Sequence, residues 1–207
     1  VDTCVAVVDV ELFLAEHRYD LALVDLSFPQ EDASGLDALA EIHRHLPDTT
    51  LAIMTQGDTW VSDLLRDAWE LLPISTIISK TAPLPYQLDM IQQVLDTGSA
   101  PIDPAIQTLL PATKNTTRTI ESFGNLVHHL GHAKVWDALL TADGDATYRS
   151  VADTTGLKLN TVKNYRSQLL DSLRVHGLDE PSLREMQEFA RRCRAFLRPH
   201  VDRSLGR

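Results

Sequence analysis

Cysteine is scarce in this sequence, and its scarcity excludes several classes of protein. Only Cys4 and Cys193 occur in 207 residues, and no CxxC pair is present. Because a secreted disulfide scaffold needs several paired cysteines, a reducing cytoplasm is the simple interpretation. No apolar run reaches the roughly 18 residues of a membrane helix, and no signal-peptide pattern opens the chain. We therefore expect a cytoplasmic protein with no membrane partner.

Motifs of common enzyme classes are also missing. The sequence contains no phosphate-binding loop, no nucleophile elbow and no metalloprotease motif. The tract HHLGH includes His128, His129 and His132, and a four-residue spacing on a helix can bind a metal. No cysteine or acidic ligand lies nearby, so we interpret these histidines as core or surface residues. We expect a protein that is not an enzyme.

Charge is present but unevenly spread. Residues 1–115 hold 18 acidic and 5 basic side chains, a net −13, whereas residues 116–207 hold 11 and 14, a net +3. Such asymmetry predicts two modules with different partners. Since +3 is modest for a small domain, the positions of the basic residues must decide whether the second module binds nucleic acid.

The first half alternates short apolar runs with stretches of helical periodicity. Strands are predicted at Thr3–Val8, Leu21–Leu26, Leu51–Thr55 and Thr76–Ser79, and helices at Val10–His17, Leu36–His45, Val61–Leu71 and Leu84–Leu95. This rhythm predicts a doubly wound α/β domain, a parallel sheet with helices on both faces. A Gly-, Pro-, Ser- and Thr-rich stretch then predicts a linker. We expect domains at 1–108 and 121–207, joined by residues 109–120, the second entirely helical.

Polar side chains fall at the ends of three predicted strands: Asp25, Thr55 and Lys80. Because the carboxyl ends of parallel strands share one edge, these groups can converge. A carboxylate can attack a phosphoryl group, and a hydroxyl and an ammonium can donate to phosphoryl oxygens. The alternative is that Asp25 caps a turn and pairs with Lys80, in a fold without a switch.

The tracts LVDLSFP, MT and ISK, in this order and with Gly35 between the first two, resemble the receiver domain of bacterial two-component response regulators. The resemblance covers roughly residues 1–108 and implies a flavodoxin-like, five-stranded domain that a histidine kinase phosphorylates with Mg²⁺. It implies that Asp25 is the phospho-acceptor, Thr55 the switch hydroxyl and Lys80 the phosphate-pairing lysine. Pro29 matches the family's proline after the acceptor.

The same resemblance implies that Asp25 and the backbone of Ser27 ligate Mg²⁺, but several departures favour a different control. Family members also use an acidic pair after the first strand. Here Thr3–Val8 matches the second strand, so a first strand and helix are expected upstream of Val1. Ile77 stands where the family usually has Tyr or Phe, and the loop SFPQEDASG is longer than usual. A receiver controlled by a small ligand or a protein, without phosphorylation, is the alternative.

The second half carries the spacing of a helix-turn-helix. Ala152, Gly156 and Val162 follow the pattern A-x3-G-x5-V, in which a small residue lets two helices approach and glycine turns the chain. Asn160 is expected to cap the second helix. Its buried stripe is expected to run through Val162, Tyr165, Leu169 and Leu173.

The opposite face of this helix is basic and rich in amides. Asn and Gln side chains read adenine edges, while Lys and Arg read guanine or bind phosphates. The tract NTVKNYRSQLLDSL also resembles the recognition helix of LuxR/NarL-type output domains, although Arg166 replaces the usual apolar residue. We expect contacts with double-stranded DNA from Lys158, Asn160, Thr161, Lys163, Asn164, Arg166 and Ser167. A helical adaptor that binds a protein instead is the alternative.

The tract SLREMQEFARRCRAFL after Pro181 has apolar residues at near-heptad spacing. The stripe comprises Leu183, Met186, Phe189 or Ala190, Cys193, and Phe196 or Leu197. It either covers the helix-turn-helix core or forms a dimer, and a homodimer on two half-sites is the usual geometry for such domains. The sequence as a whole predicts a DNA-binding transcription regulator of the response-regulator type.

Overall fold

Three apolar runs of the first half pair into one parallel sheet. The computed structural model describes residues 1–28 and 30–207, so the expected role of Pro29 lies outside the described residues. The strands are β1 (Leu21–Asp25), β2 (Thr50–Thr55) and β3 (Ile74–Ser79), in the order β1-β2-β3. Three of the four predicted strands are therefore confirmed, with β2 and β3 each starting slightly earlier than expected.

Helices separate these strands as the periodicity predicted. In this unit they are α1 (Val10–Glu16), α2 (Gly35–His45), α3 (Ser62–Leu71), α4 (Leu84–Thr97) and the short α5 (Pro104–Gln107). The Ser34 N–H donates to the Asp37 carboxylate at 2.8 Å, a capping interaction at the start of α2. Gly98, in the left-handed conformation, ends α4.

The prediction of a strand at Thr3–Val8 is wrong. Residues 1–6 form no regular structure, and Val7–Asp9 form a single 3₁₀ turn leading into α1. The Val7 N–H donates to the Glu31 carboxylate rather than to a neighbouring strand. Val5 and Val8 are 82% and 74% exposed, so the apolar run is not buried as a strand's would be. The described residues therefore form a three-stranded sheet, not the five strands that the receiver resemblance implies.

Burial differs sharply between the two edges of the sheet. β3 is buried at five of its six positions, as expected of a strand covered on both faces. β1 is only partly buried, and Leu23 is 38% exposed. In the described residues β1 pairs with β2 alone, so its outer edge is open.

The chain divides into two compact units between Lys114 and Asn115, a position within the stretch expected as a linker. The second unit is helical throughout. Its helices are α6 (Leu130–Thr141), α7 (Tyr148–Thr155), α8 (Leu159–Gln168), α9 (Leu170–Val175), α10 (Leu183–Arg192) and α11 (Arg194–Leu205). Trp136, Phe123 and Phe189 are completely buried and form the centre of its core. Among the described helices of either unit, none has the length and apolar character needed to cross a membrane.

The helix-turn-helix spacing corresponds to α7, a turn and α8. Gly156 occupies the left-handed region with φ 69°, which allows the sharp turn that a side chain would strain. Ala152 and Val162 are buried on the two helices. Two details were predicted wrongly. Lys158, not Asn160, is the N-cap of α8, and the stripe expected on one helix from Val162 to Leu173 spans two helices, α8 and α9, which meet at Leu169.

The apolar stripe of the C-terminal tract lies inside the second unit. Its members are all less than 5% exposed: Leu183, Met186, Phe189, Ala190, Cys193, Phe196 and Leu197. The tract forms two helices, α10 and α11, which meet at Cys193 and pack on α6. Of the two interpretations, the stripe therefore covers the core, and a homodimer would need another surface.

Candidate functional site

The ends of the three strands bring the predicted polar residues to one edge of the sheet. Asp25 is in register with Met54, and Thr55 with Ser79, so the strands end together. The Lys80 N–H donates to the Thr55 carbonyl at 2.8 Å, which extends the pairing by one residue. We refer to Asp25, Thr55 and Lys80 as the sheet-edge cluster.

Asp25 and Lys80 form an ion pair within this cluster. The Lys80 ammonium contacts Asp25 Oδ2, and the Ser27 N–H donates to Oδ1 at 3.1 Å. Both side chains are 32% exposed, so water screens the pair and an incoming group can reach the carboxylate. The sequence prediction that these two side chains meet is confirmed, and the bond from Ser27 is the capped turn expected in the alternative of a fold without a switch.

Thr55, the third member of the sheet-edge cluster, is not part of this ion pair. Its side chain is almost fully buried, and its hydroxyl accepts a hydrogen bond from the Gly57 N–H at 3.2 Å. The hydroxyl therefore bonds to the loop after its own strand. Ile77, where an aromatic residue was expected in a typical receiver, is completely buried within β3.

Gly35 shapes the backbone beneath Asp25. A Cβ at this position would lie 1.9 Å from the Asp25 carbonyl oxygen and 2.6 Å from the Leu26 Cα. Since both are backbone atoms, no side-chain rotation could relieve the clash. The glycine thus lets α2 start directly against the end of β1, which the sequence alone did not indicate.

The described residues at the sheet edge do not fit a magnesium ion. Mg²⁺ requires several oxygen ligands in near-octahedral geometry. Asp25 belongs to no group of three close donors among residues 1–28 and 30–207, and both of its oxygens already have partners. The predicted backbone ligand at Ser27 would be its carbonyl oxygen, whereas its N–H donates to Asp25 Oδ1.

A cavity of about 500 Å³ lies beside the open edge of β1. Val10, Phe13 and Leu14 of α1 line one side, and Leu23 and Asp25 of β1 line another. This cavity, next to the sheet-edge cluster, was not anticipated from the sequence, because its walls come from segments that only the fold brings together.

In the second unit, α8 presents a polar surface to solvent. Most of the residues predicted to meet DNA are exposed: Lys158, Asn160, Lys163, Asn164 and Ser167. We call these five residues the α8 surface. Thr161 is half-buried. Lys163 Nζ lies 5.6 Å from the centre of the Tyr148 ring, close enough for a weak cation–π interaction.

Arg166 differs from the rest of the predicted set. Its Nε donates to the Pro181 carbonyl at 2.6 Å, and its Nη2 donates to the Glu180 carbonyl at 3.0 Å. These two bonds hold the loop before α10 against α8. This explains how a charged residue is accommodated at a position where an apolar one was expected.

The buried side of α8 is fixed against the start of α6. A Cβ on Gly131 would lie 2.6 Å from the outer end of the Tyr165 side chain, so a larger residue here would require that ring to move. His132, 2% exposed, bonds to Gln168 across a 3.1 Å Nε2–Oε1 distance. His129 caps α6 by accepting the Gly131 N–H at 3.0 Å. His128 and His129 are exposed and His132 is core, and none belongs to a group of three close donors in the described residues.

Comparisons with known proteins give little further information. No protein-family model matches the chain, and no curated protein matches it. Solved structures that resemble it include two that are each 16% identical in sequence. One, two RcsB dimers bound to two parallel DNAs, has a TM-score of 0.38 and covers 89% of this chain and 76% of that chain. The other, the Salmonella typhimurium RcsB response regulator, has a TM-score of 0.37 and covers 82% and 76%.

Proposed function

We propose that this protein is a DNA-binding transcription regulator in which α8 is the recognition helix. The α8 surface carries this proposal. Lys158 and Lys163 supply positive charge, and Asn160 and Asn164 supply amides that can read base edges. The opposite side of the helix is anchored by Val162 and by the pairing of Tyr165 with Gly131, so the exposed side chains extend from a fixed support.

Charge distribution supports the same assignment. Residues 116–207 carry +3 within a chain of net charge −10, so the second unit is the one that can approach polyphosphate. Phosphate contacts release counterions, and binding should therefore weaken as salt rises. A homodimer on two half-sites, as is usual for helix-turn-helix proteins, belongs to the proposal.

The experiment is a fluorescence-anisotropy titration of a mixed-sequence DNA duplex at several salt concentrations. Lys163→Ala should weaken binding at every sequence and reduce the slope of log K against log salt by about 1. Lys134→Ala, which removes an exposed lysine from α6 instead, is the matched control and should retain the wild-type slope. Equal slopes for wild type and Lys163→Ala would contradict the proposal and favour a protein-binding adaptor.

For the first unit, we infer that Asp25 accepts a phosphoryl group from a histidine kinase. Its partial exposure and its contact with Lys80 support this role. Attack of a carboxylate oxygen on phosphorus would form an acyl phosphate and release the donor's leaving group. The Lys80 ammonium, now on Oδ2, would then pair with a phosphoryl oxygen.

The phosphorylation proposal is tested with a radiolabelled small phosphoryl donor, in buffers with and without Mg²⁺. Label should be lost in Asp25→Asn and retained in Asp20→Asn, which removes an exposed carboxylate just before β1. Equal labelling of wild type and Asp25→Asn would exclude Asp25 as the acceptor.

A second candidate for this unit is control by a small apolar ligand or a protein segment. The cavity beside β1 favours it, because it is large enough for a small molecule and Asp25 is one of its lining residues. Absence of labelling in the wild type, with DNA binding retained, would support this candidate.

A further inference from the structure

We propose that Glu11, Glu41 and His45 form a binding site for Zn²⁺ between α1 and α2. The three side chains come from two neighbouring helices, and none of them belongs to the sheet-edge cluster or to the α8 surface. The proposal does not depend on DNA binding or on phosphorylation of Asp25.

The ligand atoms already lie at metal-binding separations. One carboxylate oxygen of each glutamate and one nitrogen of His45 all lie within 4.8 Å of one another. His45 Nε2 and Glu41 Oε2 are 3.4 Å apart. Zn–N and Zn–O bonds of roughly 2.0–2.2 Å in a tetrahedral site place two ligands about 3.3 Å apart. This pair therefore needs almost no movement to share an ion.

The orientation of Glu41 points to a missing partner. Arg44 pairs with Glu41 Oε1, which turns the second oxygen, Oε2, toward His45. Glu41 Oε2 is buried and makes no hydrogen bond among the described residues. Its 3.4 Å separation from His45 Nε2 exceeds the roughly 2.7–3.2 Å of a good hydrogen bond. The Glu41 side chain as a whole is 23% exposed and already pairs with Arg44, so a cation between Oε2 and His45 would replace a weak contact with two short ligand bonds.

The backbone positions of the three ligands are set by packing. Glu41 and His45 are four residues apart on α2, so their side chains share one face. Leu39 and Ile42 are buried on another side of α2. Leu14 is buried on α1, which holds the helix that carries Glu11 against α2. The site is therefore assembled by the core and needs no loop to close.

The chemical types of the three ligand groups favour Zn²⁺ over Mg²⁺. One imidazole and two carboxylates suit Zn²⁺, whereas Mg²⁺ requires octahedral oxygen ligands and gives up its waters reluctantly. Glu11 and His45 are exposed, so an ion can enter from solvent and keep a water as its fourth ligand. Bound Zn²⁺ would fix α1, whose Val10 and Phe13 line the cavity beside β1.

Isothermal titration of the full chain with zinc chloride, after removal of metal by a chelator, tests the site. We expect one strong equivalent in the wild type and at least a tenfold loss of affinity in Glu11→Gln and in His45→Gln. Glu16→Gln and His17→Gln, neighbouring residues outside the cluster, are matched controls and should bind as the wild type does. Excess Mg²⁺ should not displace the zinc.

A second readout separates this site from the histidines of the second unit. Co²⁺ in place of Zn²⁺ should give visible absorption bands that Glu11→Gln removes and His128→Gln leaves unchanged. Thermal unfolding in the presence of chelator should be the same for wild type and variants, which shows that each variant folds. Wild-type zinc affinity in both Glu11→Gln and His45→Gln would overturn the proposal, as would absorption lost only in His128→Gln.

Discussion

The Tyr165 ring lies against Gly131 with no space for even a methyl group between them. A Cβ at position 131 would approach two ring carbons and the hydroxyl oxygen of Tyr165 to 2.6 Å. The contact joins the first turn of α6 to the middle of α8. The rotamer that Tyr165 adopts on the proposed recognition helix therefore depends on a glycine outside the helix-turn-helix itself.

Gly131→Ala should destabilise the second unit. Overpacking costs about 1–3 kcal/mol, offset by a gain of up to about 1 kcal/mol from the better helix propensity of alanine. Displacement of Tyr165 should also weaken DNA binding. Denaturant unfolding measures the change, and Gly144→Ala, whose Cβ would meet open space, should stay within about 0.5 kcal/mol of the wild type. A Gly131→Ala variant as stable as wild type, with unchanged DNA affinity, would show that Tyr165 moves freely.

His132 should make the protein less stable in acid. Burial, with a smaller contribution from the neighbouring His129 and His128, lowers its pKa from the usual 6.5 to about 4, despite the opposing hydrogen bond that His132 donates to Gln168 Oε1. Between these values the unfolded chain takes up a proton that the folded chain does not. The free energy of unfolding should therefore be highest above pH 6.5 and fall by about 3 kcal/mol on acidification to pH 4.

The measurement for this pH effect is denaturant unfolding across the same window. His132→Gln should flatten the dependence, while His128→Gln, at an exposed position, should not. Some slope should remain in His132→Gln, because burial and the nearby Arg203 also lower the pKa of His200. A slope identical to that of the wild type would show that His132 is not the titrating group.

Arg166→Ala should show whether Arg166 stabilises the fold or contacts DNA. The substitution leaves the carbonyls of Glu180 and Pro181 without their donor, and we expect a loss of about 1–3 kcal/mol in unfolding free energy. The salt slope of DNA binding should stay at the wild-type value. Arg149→Ala, at an exposed arginine of α7, is the control for stability. A salt slope reduced by about 1 would instead mean that Arg166 contacts phosphate in the complex.

Gly35→Ala should be severely destabilising. The added Cβ would meet backbone atoms of Asp25 and Leu26, so α2 or β1 would have to shift, at a cost of at least about 3 kcal/mol. Thermal unfolding detects the loss, and soluble, native-like protein with an unchanged melting temperature would contradict it. The sheet-edge cluster should be disturbed together with stability, because Asp25 is the residue that the clash displaces.

The alternation of apolar runs and helical periods was sufficient to predict most of the first unit. β1, β2 and β3 are short apolar runs with turn signals at their ends, and each was found where predicted. Thr3–Val8 is a similar apolar run, yet residues 1–6 form no regular structure and the Val7 N–H donates to Glu31, so composition alone does not distinguish it from a strand. The same limit applies to the expected number of strands.

Pairing of side chains was predictable where topology dictates it. Asp25 and Lys80 follow parallel strands, so their approach was inferred from the order of elements alone. Gly131 and Tyr165 come from different helices whose packing no local pattern encodes. Glu41 and His45 show a metal-compatible spacing within one helix, but Glu11 joins them only through the packing of α1 on α2.

The division between Lys114 and Asn115 separates two units of opposite net charge. The acidic excess of −13 lies entirely in the first unit, and the second unit holds the +3. A single proteolytic cut in the exposed segment around this point would therefore give two fragments. Near neutral pH the acidic first unit should bind an anion exchanger and the basic second unit a cation exchanger. Chromatography of a partial digest, with no affinity tag on either piece, would show whether each unit survives without the other.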